Sequence, residues 1–206
     1  MKPSHFLGCL PQALVLAGCS EAPPKAEVKE PEPPPEPISA QSALRAMWIQ
    51  ARAWSPDAKP LRVASINLTE VPSKDGKAGA WDATFVSESR GRTRRYTYSV
   101  VEVPSSNLHK GVFAGPEDSW SSGGQTKPIT MQEVKTDSTA ALTTALEKGG
   151  ADYSAKNPDL PITFLLEFTR RFPNPAWRVI WGESVSRSNF SVFVDATTGK
   201  YLETAR

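Results

Sequence analysis

Side chains that could catalyse a reaction are few in this chain of 206 residues. Its histidines are His5 and His109, and its cysteines, Cys9 and Cys19, both lie in the first twenty residues. A hydrolytic triad would have to combine His109 with a serine, and no Gly-x-Ser-x-Gly sequence is present to position such a nucleophile. We therefore expect no catalytic residues. The alternative is a small hydrolase that uses His109.

Carboxylates and metal ligands show no catalytic pattern either. Glu117 and Asp118 are adjacent, so they need not share a face, and nothing distinguishes one as an acid and the other as a base. The sequence has neither a His-Glu-x-x-His helix nor the spacing of a calcium loop. We expect no metal and no cofactor.

Cys19 follows a segment that is typical of an export signal. Residues 5–18 are mostly apolar, follow Lys2 and end in the small-residue run Leu-Ala-Gly. The order Leu-Ala-Gly-Cys resembles the bacterial lipobox, which implies removal of residues 1–18 and attachment of lipid to Cys19. The alternative is a plain secretory signal with an incidental cysteine. A membrane-spanning helix is not expected, because the apolar segment is shorter than the ~20 residues required.

Residues 19–37 are interpreted as the lipidated cysteine and a tether. The sequence SEAPPKAEVKEPEPPPEP, Ser20–Pro37, contains seven prolines and no aromatic residue, so it cannot form a core. An extended spacer of this kind reaches about 50 Å at ~3.1 Å per residue. A ligand for a proline-recognising domain is the other interpretation. The lipobox resemblance, with serine rather than aspartate after the cysteine, implies sorting to the outer membrane of a Gram-negative cell, so we expect an envelope protein anchored to the membrane and facing the periplasm.

Charge excludes one class of partner. The net charge is +2, and the tether is acidic, which leaves Ile38–Arg206 modestly basic. Nucleic-acid binding requires many cations on one face, so nucleic acid is not an expected partner. The densest positive charge is RGRTRR, which contains Arg90, Arg92, Arg94 and Arg95. It is either a solvated hairpin tip or a contact with anionic headgroups or an acidic partner.

Hydrophobic periodicity predicts a helix and three strands in the first half. Apolar residues recur at three and four residues from Ala40, after a plausible N-cap at Ser39, and the helix stops before Pro56. The predicted strands are Leu61–Val71, Ala80–Ser87 and Arg94–Val103, joined by turn-rich sequences. A long connection, Pro104–Lys127, follows with a possible short strand near Val112–Phe113.

The pattern then starts again. Residues 128–134 are a candidate strand, Asp137 or Ser138 caps a helix that ends at Gly149-Gly150, and a short helix is possible from Ala151 to Lys156. The next strands are predicted at Ile162–Arg170, Trp177–Val185 and Phe190–Asp195.

The fold class predicted from these elements is α+β, a helix packed on an antiparallel β-sheet, with the pattern repeated twice. The first unit is 38–136, including the long connection, and the second is 137–206. Two small units side by side are favoured over a single longer sheet.

The second unit resembles the PepSY domain, a cystatin-like repeat in which an aromatic-rich strand leads into a Val-Asp-Ala-x-Thr-Gly turn. The matching residues are Trp177, Val179, Val192, Val194, Asp195, Ala196, Thr198 and Gly199. The resemblance covers roughly Asp137 to Arg206, and Ala40–Val103 lacks the turn. It implies an extracytoplasmic protein that restrains a peptidase or binds a partner, without catalysis.

Two features of this motif have structural interpretations. Asp195 can accept backbone N–H bonds within the turn, where Gly199 supplies a positive φ. Trp177 and Trp181 lie on one side of their strand, which indicates core packing, with a ligand-stacking platform as the alternative.

The sequence as a whole predicts a lipid-anchored, extracytoplasmic, non-catalytic protein that binds or restrains an envelope protein, a peptide or a peptidase. A small envelope hydrolase and a structural envelope spacer are the alternatives.

Overall fold

The structure of the protein is a computed structural model, and it describes residues 33–206. The predicted signal peptide, Cys19 and most of the tether therefore lie outside the described residues. Within 33–206, no helix combines the length and the apolar character needed to cross a membrane.

Within residues 33–206, the fold contains three α-helices and ten β-strands. The helices are α1 (Ala40–Trp54), α2 (Ser138–Ala145) and α3 (Ala151–Lys156). The strands are β1 (Ile38–Ser39), β2 (Lys59–Ile66), β3 (Lys77–Ala78), β4 (Ala80–Ser87), β5 (Arg92–Ser99), β6 (Gly111–Ser119), β7 (Ile162–Glu167), β8 (Ala176–Gly182), β9 (Ser188–Asp195) and β10 (Tyr201–Ala205).

Eight strands form one antiparallel sheet in the order β10-β9-β8-β7-β2-β4-β5-β6, while β1 and β3 pair separately. Each half of the chain contributes helical structure followed by a four-stranded meander, β2-β4-β5-β6 in the first half and β7-β8-β9-β10 in the second. The two meanders join where β2 pairs with β7, with Val63 opposite Leu166. The α+β class is thus confirmed, but the expectation of two units side by side is wrong. Separate meanders would each leave an unpaired edge at this strand, and joining them satisfies both edges.

One core runs along one face of this sheet and includes residues from both halves. Trp81, Trp177 and Trp181 are its largest fully buried side chains, and each is at most 1% exposed. They pack beneath the apolar sides of the helices, such as Ala43 of α1 and Ala141 of α2. All three helices therefore lie on the same face of the sheet.

The N-termini of α1 and α2 share a cap. Ser39 occupies the N-cap position of α1 as predicted, but its side chain makes no capping bond. Instead, Ser138 Oγ accepts from the backbone N–H of Ala40 at 3.0 Å, and Asp137 Oδ1 accepts from that of Gln41 at 3.0 Å. Asp137 also caps α2 by accepting from Ser138 N at 2.7 Å. These bonds connect the two halves on the helical side.

The main differences from the predicted elements concern a connecting segment, an edge strand and the end of one central strand. Residues 128–134 contain a 3₁₀ turn, Met131–Glu133, rather than a strand, because Thr130 and Glu133 form a capping box that turns the backbone. The edge strand β6 is nine residues long, where only Val112–Phe113 was predicted. β2 ends at Ile66, five residues before the predicted end.

The turn that carries the PepSY resemblance has the predicted structural role. Asp195 Oδ1 accepts from the backbone N–H groups of Thr197 and Thr198, both at 2.8 Å, and Gly199 has φ +74°. Burial on its own would raise the pKa of Asp195, but hydrogen bonds from Asn174, Thr198 and Thr197 lower it overall. The carboxylate is therefore used to hold the turn.

Candidate functional site

The two tryptophans considered as a stacking platform belong to the core. Trp177 donates its indole N–H to Thr136 O at 2.8 Å, and Trp181 donates to Ser154 Oγ at 2.6 Å. Trp181 also meets the ring of Phe190 edge-on at 5.1 Å. Neither ring presents a face to solvent, so we do not place a ligand on them.

The arginines of RGRTRR lie on both sides of the sheet. On the helical side, Arg90 lies 3.4 Å from Glu117 and its guanidinium covers the Trp54 ring, while Arg94 donates to Gly115 O at 2.8 Å. The pKa of Glu117 is lowered first by the hydrogen bond from Trp54 and then by the nearby arginines. These cations are therefore engaged within the protein.

The other two arginines of this segment are engaged as well. Arg92 donates to Ser119 Oγ on the edge strand at 3.3 Å. Arg95 points to the opposite side of the sheet and lies 2.7 Å from Asp82. The segment is thus not one cationic patch, and its contact with a membrane or an acidic partner stays a prediction.

His109, the residue on which the hydrolase alternative depends, is partly exposed and in hydrogen-bond contact with Glu102. Its Nδ1 lies 2.9 Å from Glu102 Oε1, and its ring packs against Phe113 at 4.5 Å. Among residues 33–206, no serine hydroxyl forms a hydrogen bond with His109, and no group of three or more His, Cys, Asp or Glu side chains is arranged to hold a metal ion. Within the described residues, the imidazole therefore has no hydrogen-bonded serine hydroxyl that it could activate as a nucleophile.

The face of the sheet opposite α1, α2 and α3, here called the open face, carries a row of alternating charges. Asp82 of β4 lies between Arg95 at 2.7 Å and Arg62 at 3.8 Å. Arg62 of β2 also lies 3.6 Å from Glu167, its cross-strand neighbour on β7. The row crosses the central joint of the sheet, so both halves of the chain contribute to it.

Beyond Glu167 the row leads into a cleft of about 610 Å³ on the open face. We call it the arginine cleft. It is lined by Arg62, Gln125, Leu165, Glu167, Thr169, Arg170, Arg171, Phe172, Ala176, Arg178, Val185 and Phe193. Its floor is formed by β7, β8 and β9, and one wall by the loop that joins β7 to β8.

Two guanidinium groups share one aromatic ring at the centre of this cleft. Those of Arg171 and Arg178 lie 4.8 Å and 5.1 Å from the centroid of the Phe193 ring. Arg178 Nε donates to Ser191 Oγ at 2.9 Å, and Arg171 pairs with Glu203 of β10. Cation–π contact and these bonds fix the directions of both side chains before any ligand arrives.

The electrostatics of the arginine cleft favour an anion. Four arginines and a single carboxylate line it, and Arg170 has no ion pair with any residue in 33–206. Burial lowers the pKa of Arg178, and the charge of Arg171 lowers it further, whereas burial raises the pKa of Glu167. The shift of Arg178 reflects partial exclusion of water and crowded positive charge, which an added anion relieves, whereas the shift of Glu167 reflects exclusion of water.

Most of these residues were missed at the sequence level. Arg62, Glu167 and Arg178 lie in three separate strands whose neighbouring residues are mostly apolar, and Arg170-Arg171 occurs in a turn. The available signal was a charged residue at the outward position of three separate strands. It becomes a site only through the register of β2, β7 and β8.

Comparisons with known proteins add little to this geometry. No protein-family profile matches the sequence, and no curated protein is significantly similar to it. The crystal structure of a candidate lipoprotein of Clostridium difficile 630 superposes with a TM-score of 0.49 at 10% sequence identity, covering 79% of this chain and 91% of that chain. A similarity of this degree carries no argument about function, and the PepSY resemblance stays a prediction.

Proposed function

We propose that the protein is a lipid-anchored, extracytoplasmic, non-catalytic binding protein that holds an acidic segment of an envelope protein or peptide in the arginine cleft. One observation carries this proposal: four arginines line a concave site on the side of the sheet opposite α1, α2 and α3, and two of them, Arg170 and Arg178, have no ion pair with any residue in 33–206. An acidic segment would supply the missing negative charge.

The arrangement of the side chains suits carboxylates. A guanidinium group can form two parallel hydrogen bonds with one carboxylate, and such charge-assisted bonds are stronger than neutral ones. Arg171 and Arg178 are oriented by Phe193, so less side-chain entropy is lost when a ligand binds. Apolar lining from Leu165, Phe172 and Val185 would contact the stems of acidic side chains.

The PepSY resemblance of residues 137–206 supports a binding role. All strands that form the floor of the arginine cleft lie in that segment. The resemblance implies a domain that restrains a peptidase or binds a partner, so a peptidase is one class of envelope protein that fits the proposal. We therefore place the contact with the partner on the open face.

Membrane anchoring is the second part of the proposal, and Cys19→Ser tests it. In a Gram-negative host, wild-type protein is expected to gain a lipid-sized mass and to partition into detergent, since the lipobox resemblance marks Cys19. Cys19→Ser is expected to lose both properties. Intact-mass spectrometry and detergent partitioning measure them.

Cys9→Ser is the matched control for the anchor, because Cys9 lies in the segment that cleavage removes. It should leave the mass and the partitioning of the mature protein unchanged. Wild-type protein that is unlipidated and free in the periplasm would contradict the anchored part of the proposal and leave the arginine cleft to be judged separately.

Glu167 gives the proposed binding a predictable pH dependence. Burial raises its pKa, and Arg62 of β2 and Arg178 of β8 only partly offset this effect. The other charges that line the same cleft are Arg170 and Arg171 of the β7–β8 loop. Because its pKa is raised above that of an exposed glutamate, Glu167 is protonated before the glutamates of the ligand as pH falls from 7, so the cleft becomes more positive and a fluorescein-labelled hexaglutamate peptide should bind more tightly.

Glu167→Gln should bind hexaglutamate about 3- to 10-fold more tightly at pH 7, because removal of one nearby charge changes the interaction by about 1 kcal/mol. It should also lose most of the change between pH 7 and pH 5. Fluorescence anisotropy of the full-length protein in detergent measures both. Glu88→Gln, in the β4–β5 turn, should behave as wild type. An unchanged pH profile in Glu167→Gln would contradict the assigned role of this carboxylate.

A further inference from the structure

A second concave surface lies on the helical side of the molecule, between α1 and residues 129–134. Two adjoining cavities of about 380 Å³ and 190 Å³ share Trp48, Met131 and Gln132, so they form one groove. We call it the α1 groove. Its other lining residues are Gln41, Leu44, Arg45, Arg52, Pro56, Asp57, Ala58, Lys59, Pro60, Ile129, Thr130 and Val134.

The floor of the α1 groove is apolar and continuous with the core. Leu44 and Ile129 are buried, and Trp48 and Met131 are partly exposed on top of them. Next to Trp48 on the same helix, Ile49 is 65% exposed, the highest value among the large hydrophobic residues in 33–206. Burial of such side chains by a partner would be favourable at about 25 cal/mol per Å².

Hydrogen bonds fix the wall opposite α1. Gln41 Nε2 donates to Val134 O at 2.8 Å, and the backbone N–H of Ile129 donates to Pro60 O at 2.7 Å. Thr130 donates to Glu133 through both its backbone N–H and its hydroxyl, at 2.6 Å and 2.8 Å. The groove therefore exists before a ligand binds, and binding need not order this segment.

Charge on the rim indicates what kind of ligand fits. Arg45 and Arg52 are exposed and have no ion pair with any residue in 33–206, although the Arg52 guanidinium lies 5.4 Å from the Trp48 ring centroid. Lys59 is paired with Glu88 at 2.9 Å. The rim thus offers two cations that lack a carboxylate.

The one carboxylate that lines the groove is committed elsewhere. Asp57 accepts from the backbone N–H of Ser89 at 2.9 Å and from the hydroxyls of Ser55 and Ser87, both at 2.7 Å. These bonds, led by the one from Ser89, hold its pKa well below its usual range. Asp57 is therefore not available to neutralise Arg45 or Arg52.

We propose that the α1 groove is a docking site for a partner polypeptide segment that combines apolar side chains with carboxylates. The apolar side chains would lie on Trp48, Met131 and Leu44, and the carboxylates would pair with Arg45 and Arg52. The proposal goes beyond the arginine cleft, which lies on the opposite face of the sheet. Each site is supported by its own contacts, so either could exist without the other.

The probe for this proposal is a fluorescein-labelled dodecapeptide that contains four leucines, four glutamates and four serines. Full-length protein in detergent is expected to bind it saturably in fluorescence anisotropy. Replacing its leucines by serine, or its glutamates by lysine, should each weaken binding at least tenfold, because both the apolar floor and the cationic rim contribute.

Two variants of the protein locate the binding. Arg45→Glu with Arg52→Glu changes only exposed positions and should weaken binding of the probe at least tenfold. Trp48→Ala should also weaken binding of the probe at least tenfold, and its circular dichroism spectrum should match that of wild type. Because the probe's glutamates would also bind the arginine cleft, both variants are compared with the parent Arg171→Ser with Arg178→Ser, which lacks the two oriented arginines of that cleft. This parent should still bind the probe saturably. Absence of saturable binding to this parent would overturn the α1 groove and place the probe in the arginine cleft. Equal binding by the parent with and without the rim changes would also overturn it.

Discussion

Trp177→Ala is expected to lower the free energy of unfolding by about 3–5 kcal/mol, the usual range when a large aromatic residue is removed from a core. The side chain is fully buried on β8 and donates its N–H to Thr136 O, just before α2. Alanine would leave a cavity and an unpaired carbonyl. Because the core is shared by both halves of the sheet, the loss should reduce the stability of the whole body.

Urea denaturation followed by far-ultraviolet circular dichroism measures this effect as a shift of the midpoint. Ile49→Ala is the matched control, since its side chain is 65% exposed on α1 and its removal should change stability by no more than about 0.5 kcal/mol. A midpoint for Trp177→Ala equal to that of Ile49→Ala would contradict the assigned packing. A second transition would contradict a core shared by the two halves.

Arg171→Ser combined with Arg178→Ser is expected to weaken hexaglutamate binding at least about 100-fold, because two charge-assisted contacts are lost. Loss of one charge-assisted contact typically costs about 1.5–3 kcal/mol, and tenfold in an equilibrium constant corresponds to about 1.4 kcal/mol. Both guanidinium groups lie over Phe193, at the centre of the arginine cleft. Anisotropy at low, fixed ionic strength measures the change, because salt screens interactions of this kind.

Arg90→Ser combined with Arg92→Ser removes the same charge outside the arginine cleft. Arg90 is paired with Glu117 and Arg92 with Ser119, so this control should bind hexaglutamate within about twofold of wild type. If the control lost binding and the cleft variant kept it, the acidic ligand would belong to the RGRTRR segment instead. That result would contradict the arginine cleft as the binding surface.

Local chemistry explains why much of the fold could be predicted from the sequence. The strand Ala80–Ser87 and the short helix Ala151–Lys156 have the predicted bounds, because alternation, glycine and proline mark them locally. The Asp195 turn and the cap at Asp137 followed from the same kind of short-range pattern.

The joining of the two meanders could not be predicted in this way. Pairing between β2 and β7 links residues about a hundred positions apart, and no local pattern specifies which edge strands meet. The same limit applies to β6, whose nine residues are mostly exposed at an edge and so lack a clear alternation. The strand that each one pairs with determines both the joint between β2 and β7 and the length of β6.

The candidate site shows the limit most clearly. The sequence indicated RGRTRR as a candidate contact surface because its arginines are close together in the chain. In the structure, these arginines lie on opposite sides of the sheet. The arginine cleft instead collects Arg62, Arg171 and Arg178 from two strands and a loop. Charge density along a chain is thus a poor guide to charge density on a folded sheet, where register decides which side chains meet.

Equilibrium titration of the full-length wild-type protein with labelled hexaglutamate and hexalysine tests the binding of an acidic segment. Hexaglutamate should bind saturably and more weakly as salt is added, and hexalysine should show no saturable binding. Equal binding of the two peptides, or no saturable binding of hexaglutamate at low salt, would contradict the proposed binding.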